Sequence, residues 1–245
     1  MALLDVHGAT VRFGGNLALN DVGLRAEAGA ITGLIGPNGA GKTTLFNVIT
    51  GLLPPQAGKV LLDGQDLSRR NPTKRARLGL ARTFQRLELF TLLSVRENIR
   101  VAADIRAGYS RDKDNPAQVT EQVIDRIGLR PVADERVDAL STGVCRLVEL
   151  GRALATKPRV LLLDEPASGQ DESETLRFAE LLRELATEQI AVVLVEHDVQ
   201  LVMSICDVVH VLDFGEIIAT GTPHEIQHNE AVLAAYLGSG SVSGT

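Results

Sequence analysis

The sequence contains no tryptophan, two tyrosines and six phenylalanines, so each aromatic side chain is rare enough to need its own explanation. Only two cysteines occur, Cys145 and Cys206, which excludes a disulfide framework; neither sits in a metal-ligand spacing, and a reducing compartment fits. No apolar run approaches the roughly 18–20 residues that span a bilayer, so any link to a membrane is expected to run through a partner. The opening residues Met1-Ala2-Leu3-Leu4-Asp5 lack a basic stretch and meet an acid at once, which does not read as a signal peptide. Excess positive charge is missing too. The formal net charge is −6, and no basic stripe of the kind that follows a phosphate backbone is visible, so no nucleic-acid partner is expected. The densest basic run, Arg69-Arg70 to Arg77, is short and reads as a solvated helix face.

What is present is an ordinary globular composition, 44% apolar and 23% charged over 245 residues, long enough for a packed core in one or two domains. Ala30–Ile35, Val160–Leu163 and Ala191–Val195 are short, branched and uncharged, which predicts strands covered on both faces in a parallel sheet. Thr43–Leu53, Val144–Ala155 and Glu172–Glu188 carry helical patterns. Residues 2–26 and Lys59–Leu62 read as antiparallel strands bounded by glycine turns. From Leu87 to Ala155 the signals are mainly helical, broken by the polar stretch Tyr109–Pro116. The expected organisation is an α/β core from 1–84 and 156–237, a helical insert over 85–155, and a Gly/Ser-rich flexible tail over 238–245.

The strongest local signal is Gly36-Pro37-Asn38-Gly39-Ala40-Gly41-Lys42-Thr43, with the spacing of a phosphate-binding loop between an apolar strand and a helix. Glycines let consecutive backbone N–H groups curl toward phosphate oxygens, and the helix N-terminus adds its positive end. Lys42 would reach the β- and γ-phosphates, and the Thr43 hydroxyl would bind Mg²⁺. Val160-Leu161-Leu162-Leu163 ends in Asp164 and Glu165. Neighbouring residues on a strand face opposite sides, so the two acids can differ in role. Asp164 would hold Mg²⁺, and Glu165 would polarise an attacking water. Three further features are less decisive alone. Ser141, within Leu140-Ser141-Thr142-Gly143, reads as a helix N-cap. His197 after the strand Ala191–Val195 reads as a structural histidine, and Phe13 as a core aromatic. Gln85, after Ala81-Arg82-Thr83-Phe84, says nothing by itself.

In combination these residues resemble the nucleotide-binding domain of ABC ATPases: the phosphate loop from Gly36 through Thr44, Gln85, the signature at 140–143, Leu163-Asp164-Glu165-Pro166, Ser168-Gly169-Gln170-Asp171 and then His197, over nearly the whole chain. The resemblance implies a P-loop NTPase fold with an antiparallel N-terminal part and a helical insert. It implies ATP and Mg²⁺ as ligands, bound between two such domains arranged head to tail, as a homodimer or a heterodimer. Phe13 would stack on adenine. Ser141, Thr142 and Gly143 would face the partner's ATP, and Asp171 would act across the pair. Gln85 would sense the γ-phosphate and Mg²⁺, and His197 would contact the γ-phosphate and fix the water and Glu165. The region around 85–100 would receive a helix of a membrane permease at the cytoplasmic face of the membrane, with a periplasmic or lipid-anchored binding protein involved indirectly. Within the family the likeness is to ATPases of branched-chain amino acid importers, carried by Arg12-Phe13-Gly14-Gly15-Asn16-Leu17-Ala18-Leu19, by Glu196-His197-Asp198-Val199-Gln200-Leu201-Val202-Met203, and by Gly221-Thr222-Pro223 followed by Ala231-Val232-Leu233-Ala234-Ala235-Tyr236-Leu237-Gly238. An importer for urea or short amides and a soluble, non-transport ABC ATPase are the alternatives. Two positions depart from the family pattern: Val144-Cys145 replaces glutamine-rich positions, and Gln170 stands where an apolar residue is common.

Overall fold

The computed structural model describes residues 2–238. In chain order it contains β1 (Leu4–Phe13), β2 (Asn16–Ala26), β3 (Ile31–Ile35), α1 (Lys42–Thr50), β4 (Ala57–Leu62), β5 (Gln65–Asp66), α2 (Pro72–Arg77) and β6 (Leu80–Arg82). A helical stretch follows: α3 (Val95–Ala107), α4 (Pro116–Arg126) and α5 (Thr142–Ala155). The chain then alternates through β7 (Val160–Asp164), α6 (Glu172–Thr187), β8 (Ala191–Val195), α7 (Val199–Ile205), β9 (Val208–Asp213) and β10 (Glu216–Gly221), and ends in α8 (Pro223–Gln227) and α9 (Glu230–Gly238).

The strands form two sheets. One is antiparallel, in the order β2-β1-β4-β5; the other runs β10-β9-β3-β8-β7-β6 and is parallel except for its β9–β10 edge. Every residue of β3, β7 and β8 is buried, as continuous apolar runs require when both faces are covered. Period-two alternation divides those side chains between two cores. Leu162, Val193 and Val195 join Phe46 and Leu45 of α1 beneath the antiparallel sheet, while Leu161, Leu163, Val192 and Leu194 pack with Phe178 and Leu182 of α6 and with Val148 of α5. Helix α1 therefore lies between the sheets, and its N-terminus emerges where central strand β3 ends.

The parallel strands and the polar break fall where the sequence predicts them. Residues 108–115 separate α3 from α4, with Asn115 capping α4 and Pro116 opening it. Helix α1 is shorter than Thr43–Leu53, because Gly51 closes it in a left-handed conformation (φ 77°). Residues 239–245 of the expected tail lie outside the described residues. The basic run needs a correction. Arg69, Arg70, Lys74 and Arg77 are solvated, but Arg75 turns inward and is 2% exposed. It donates to the carbonyls of Val48 (2.8 Å), Ile49 (2.7 Å) and Arg70 (3.0 Å), so it caps the C-terminal end of α1, where carbonyls lack partners within the helix.

Arg75→Met keeps an apolar stem but leaves those carbonyls without their donors. We expect a stability loss of about 2–4 kcal/mol in urea unfolding, with an unchanged denaturant slope. A loss under about 0.5 kcal/mol would show that water replaces the guanidinium at no cost.

Candidate functional site

The phosphate loop leaves buried Ile35 at the end of β3 and returns as α1. Two of its glycines are required by close packing. A Cβ at Gly36 would stand 1.9 Å from the Leu212 carbonyl oxygen, and one at Gly41 (φ 113°) would stand 2.7 Å from the Ala18 carbonyl oxygen. The turn between β9 and β10 braces the loop from below: Gly215 donates to the Ala40 carbonyl (2.9 Å), and Asn20 of β2 donates to Gly215 (2.8 Å). Helix α1 has neither a side-chain cap nor an acidic residue in its first turn, so its N-terminal N–H groups keep their full capacity for an anion. Lys42, 7% exposed, places Nζ across the loop, 2.6 Å from the Gly36 carbonyl and 2.9 Å from that of Pro37. Burial lowers its pKa, against the opposing pull of Glu165 and Asp164. Such a buried cation suits a polyanionic ligand.

The facing wall comes from the ends of β6, β7 and β8. Asp164, 1% exposed, pairs with Arg82 at 2.9 Å, and its N–H donates to the Thr83 hydroxyl (3.3 Å). Arg82 also reaches Asn47 of α1 (2.7 Å) and lies over the rings of Phe46 (5.3 Å) and Phe84 (4.9 Å). Burial lowers the Arg82 pKa, and Asp164 counters that. The chain then turns sharply. Glu165 has φ 50°, uncommon for a residue with a side chain. This turn, more than strand alternation, separates the two acids. Glu165 Oε1 lies 3.1 Å from Gln85 Nε2 and 2.5 Å from His197 Nε2. Together with residues 38–44 these three side chains line a cleft of about 250 Å³.

Glu196 was not among the candidates from sequence. It is buried, accepts the N–H of Ala167 (2.8 Å) and of His197 (3.2 Å), and so ties the turn after Glu165 to the histidine. Burial raises its pKa. Arg82 was missed in the same way. In each case the sequence signal is a charged residue beside an otherwise apolar strand.

The remaining candidates lie outside this cleft. Phe13 is 52% exposed at the end of β1, so it is not a core aromatic. Ser141 caps α5 by accepting the Val144 N–H (3.4 Å). Gly143 packs against the start of α6 and the turn before it, where a Cβ would meet Glu174 Oε2 at 3.1 Å and Gln170 Cγ at 3.4 Å. Asp171 caps α6 in a reciprocal pair with Glu174, and the Glu174 N–H and Ser173 hydroxyl that its carboxylate accepts lower its pKa. Among the described residues no three His, Cys, Asp or Glu side chains cluster as a metal cage. Mg²⁺ keeps waters and takes one or two protein oxygens alongside substrate phosphates; Thr43 and Gln85, which line the cleft, carry oxygens of that kind, whereas the Asp164 carboxylate is engaged by Arg82. No helix among the described residues is long and apolar enough to cross a membrane.

Residues 19–168 match the family model described as ABC transporter, and residues 216–242 match one described as branched-chain amino acid ATP-binding cassette transporter. The chain is 39% identical to the high-affinity branched-chain amino acid transport ATP-binding protein BraF of Pseudomonas aeruginosa, over 96% of this chain and 98% of that protein. It is 33% identical to the lipopolysaccharide export system ATP-binding protein LptB of Escherichia coli, over 97% and 98%. Among solved structures it resembles the ADP conformation of an ATP-binding cassette of an ABC transporter, with a TM-score of 0.86 and 28% identity over 97% of this chain and 99% of that one. With this fold, this phosphate loop and Glu165 set between Gln85 and His197, the chain belongs to the ABC transporter family as an ATP-hydrolysing cassette.

Proposed function

We propose that this cassette powers an importer of branched-chain amino acids. The observation that carries the reading is the shared Glu165 carboxylate, held at once by Gln85 and His197 opposite Lys42, in a chain whose relatives at 39% identity are named for that transport. The match of residues 216–242 to the branched-chain family model supports the same solute.

On this reading the residues take the following roles. The backbone N–H groups of residues 38–44 and the Lys42 ammonium bind the β- and γ-phosphates of ATP. Glu165 accepts a proton from the attacking water, and His197 holds that carboxylate and the water in line. Gln85 reports the state of the γ-phosphate end to the helical part. Thr43, Asp164 and Gln85 would hold Mg²⁺, which supplies charge stabilisation on the phosphate oxygens when bound. Phe13 stacks on the adenine, a role that its exposure at the end of β1 allows. Ser141, Thr142 and Gly143 face the ATP of a second cassette, and Asp171 acts across the same pair. Their distance from this chain's own cleft supports completion of the site by a partner cassette. A larger groove of about 370 Å³, walled by Phe84, Phe90, Ile105 and Arg152, is the proposed seat of a permease helix, which would place the chain at the cytoplasmic face of a membrane.

The test is uptake by the reconstituted transporter: the cassette pair, the permeases and the binding protein. ATP-dependent accumulation of leucine, isoleucine or valine is expected; accumulation of urea alone would reassign the solute. Phe13→Ala should weaken ATP and GTP alike, by about 1–3 kcal/mol, with the melting temperature unchanged. A lower melting temperature with unchanged nucleotide affinity would return Phe13 to a packing role. Ser141→Arg should stop turnover in the assembled complex while calorimetry on the same chain still shows ATP binding. Retained turnover would leave Ser141 as a helix cap only.

A further inference from the structure

Segment 84–88 has no regular secondary structure, yet α5 holds much of its backbone. Arg146, 7% exposed, donates from Nη1 to the Phe84 carbonyl (2.7 Å) and from Nη2 to the Gln85 carbonyl (2.5 Å). Its Nη1 also reaches Glu149 Oε2 at 3.0 Å. Glu149, 6% exposed, accepts the Glu88 N–H through its other oxygen at 3.0 Å. Arg152, two turns further on, donates to the Glu88 carbonyl and lies 4.8 Å over the Phe90 ring. One helix face thus satisfies backbone groups at both ends of the five-residue segment that carries Gln85.

We propose that Arg146 is a positioning residue for ATP hydrolysis: its guanidinium, forked across the Phe84 and Gln85 carbonyls, fixes the angle at which the Gln85 side chain meets Glu165. The proposal rests on the role given to Gln85 above. A planar guanidinium fork holds two neighbouring carbonyls in a fixed relative direction, which the freely rotating ammonium of a lysine does not impose. Removing Arg146 alone would leave buried Glu149 without its cation and two carbonyls without donors, so a loss of stability is expected from packing alone, and the positioning role is read from kcat against KM instead. Arg146 also stands five residues beyond Ser141 on a continuous helix. A shift of α5 at its signature end therefore moves the backbone of Gln85 as well, so the residue that faces a partner's nucleotide and the residue that faces this chain's own γ-phosphate site travel together. Glu149 completes the arrangement by bonding the Arg146 guanidinium through one carboxylate oxygen and the Glu88 N–H through the other.

The test is ATPase kinetics of the assembled transporter carrying Gln85→Ala, Arg146→Met, Arg146→Lys, and Gln85→Ala combined with Arg146→Met, with melting temperatures of each. Arg146→Met should lower kcat about tenfold or more and leave KM for ATP within about twofold, since displacement of a reacting geometry costs rate more than binding. The double variant should fall no further than the lower single variant, because the two changes act on one contact. Arg146→Lys keeps the charge beside Glu149 without the fork, so it should restore the melting temperature and leave kcat low; it also carries the test if the Met variant fails to fold. Unchanged kcat in Arg146→Met, multiplied effects in the double variant, or recovery of kcat by Lys would overturn the proposal. Gln85→Ala separates the two levels. If it leaves turnover intact, the role of Gln85 falls and the positioning role with it. If it lowers turnover while the Arg146 effects multiply with it, only the positioning role falls.

Discussion

Two adjacent carboxylates at the end of β7 must behave differently, and much of the catalytic face is organised around that requirement. Asp164 stays in line with the strand and is neutralised by Arg82 in a dry setting. One residue later the left-handed turn at Glu165 swings the second carboxylate into the cleft, where its partners are an amide and an imidazole rather than a fixed cation. Such a backbone costs of order 1–3 kcal/mol and persists where surrounding structure holds it. Here the Glu165 N–H bonds to the Val195 carbonyl (2.9 Å), and Glu196 secures Ala167 just beyond. Two carboxylates paired alike with cations would leave none free to take a proton from water.

Opposite them the problem is reversed, because a cation has to be held out of water without a permanent partner. Lys42 rests on carbonyls of its own loop, an arrangement that phosphate oxygens can displace. The loop itself cannot adapt, since Gly36 and Gly41 pack directly on the backbone at Leu212 and Ala18. Rigid donors aimed at a polyanion, and an ammonium held beside them only by displaceable carbonyls, preorganise the site for phosphate oxygens.

The phosphate loop, the buried strands and the order of the motifs were legible in sequence because each rests on a local rule: glycine where no Cβ fits, branched runs where both faces are covered, a hydroxyl or carboxamide before a helix. The fate of charged residues was not. Arg75 looked like one member of a solvated face, yet it caps α1 from an adjacent helix. Arg82, Arg146 and Glu196 gave no signal beyond charge beside apolar neighbours, because their partners are backbone groups or side chains tens of residues away. By residue type alone Phe13 reads as a core aromatic, and its 52% exposure rules that out; the resemblance, which puts Phe13 at the adenine, does not require burial.

The account centres on Glu165 as the group that takes a proton from water. The direct test is single-turnover hydrolysis by the assembled transporter carrying Glu165→Gln, with bound nucleotide measured in the same sample. The amide keeps the shape and its contacts with Gln85 and His197 but cannot accept the proton, so hydrolysis should fall by about a hundredfold or more while ATP stays bound. Hydrolysis at the parental rate in that variant would contradict the account, and would move the general base to another group in the cleft.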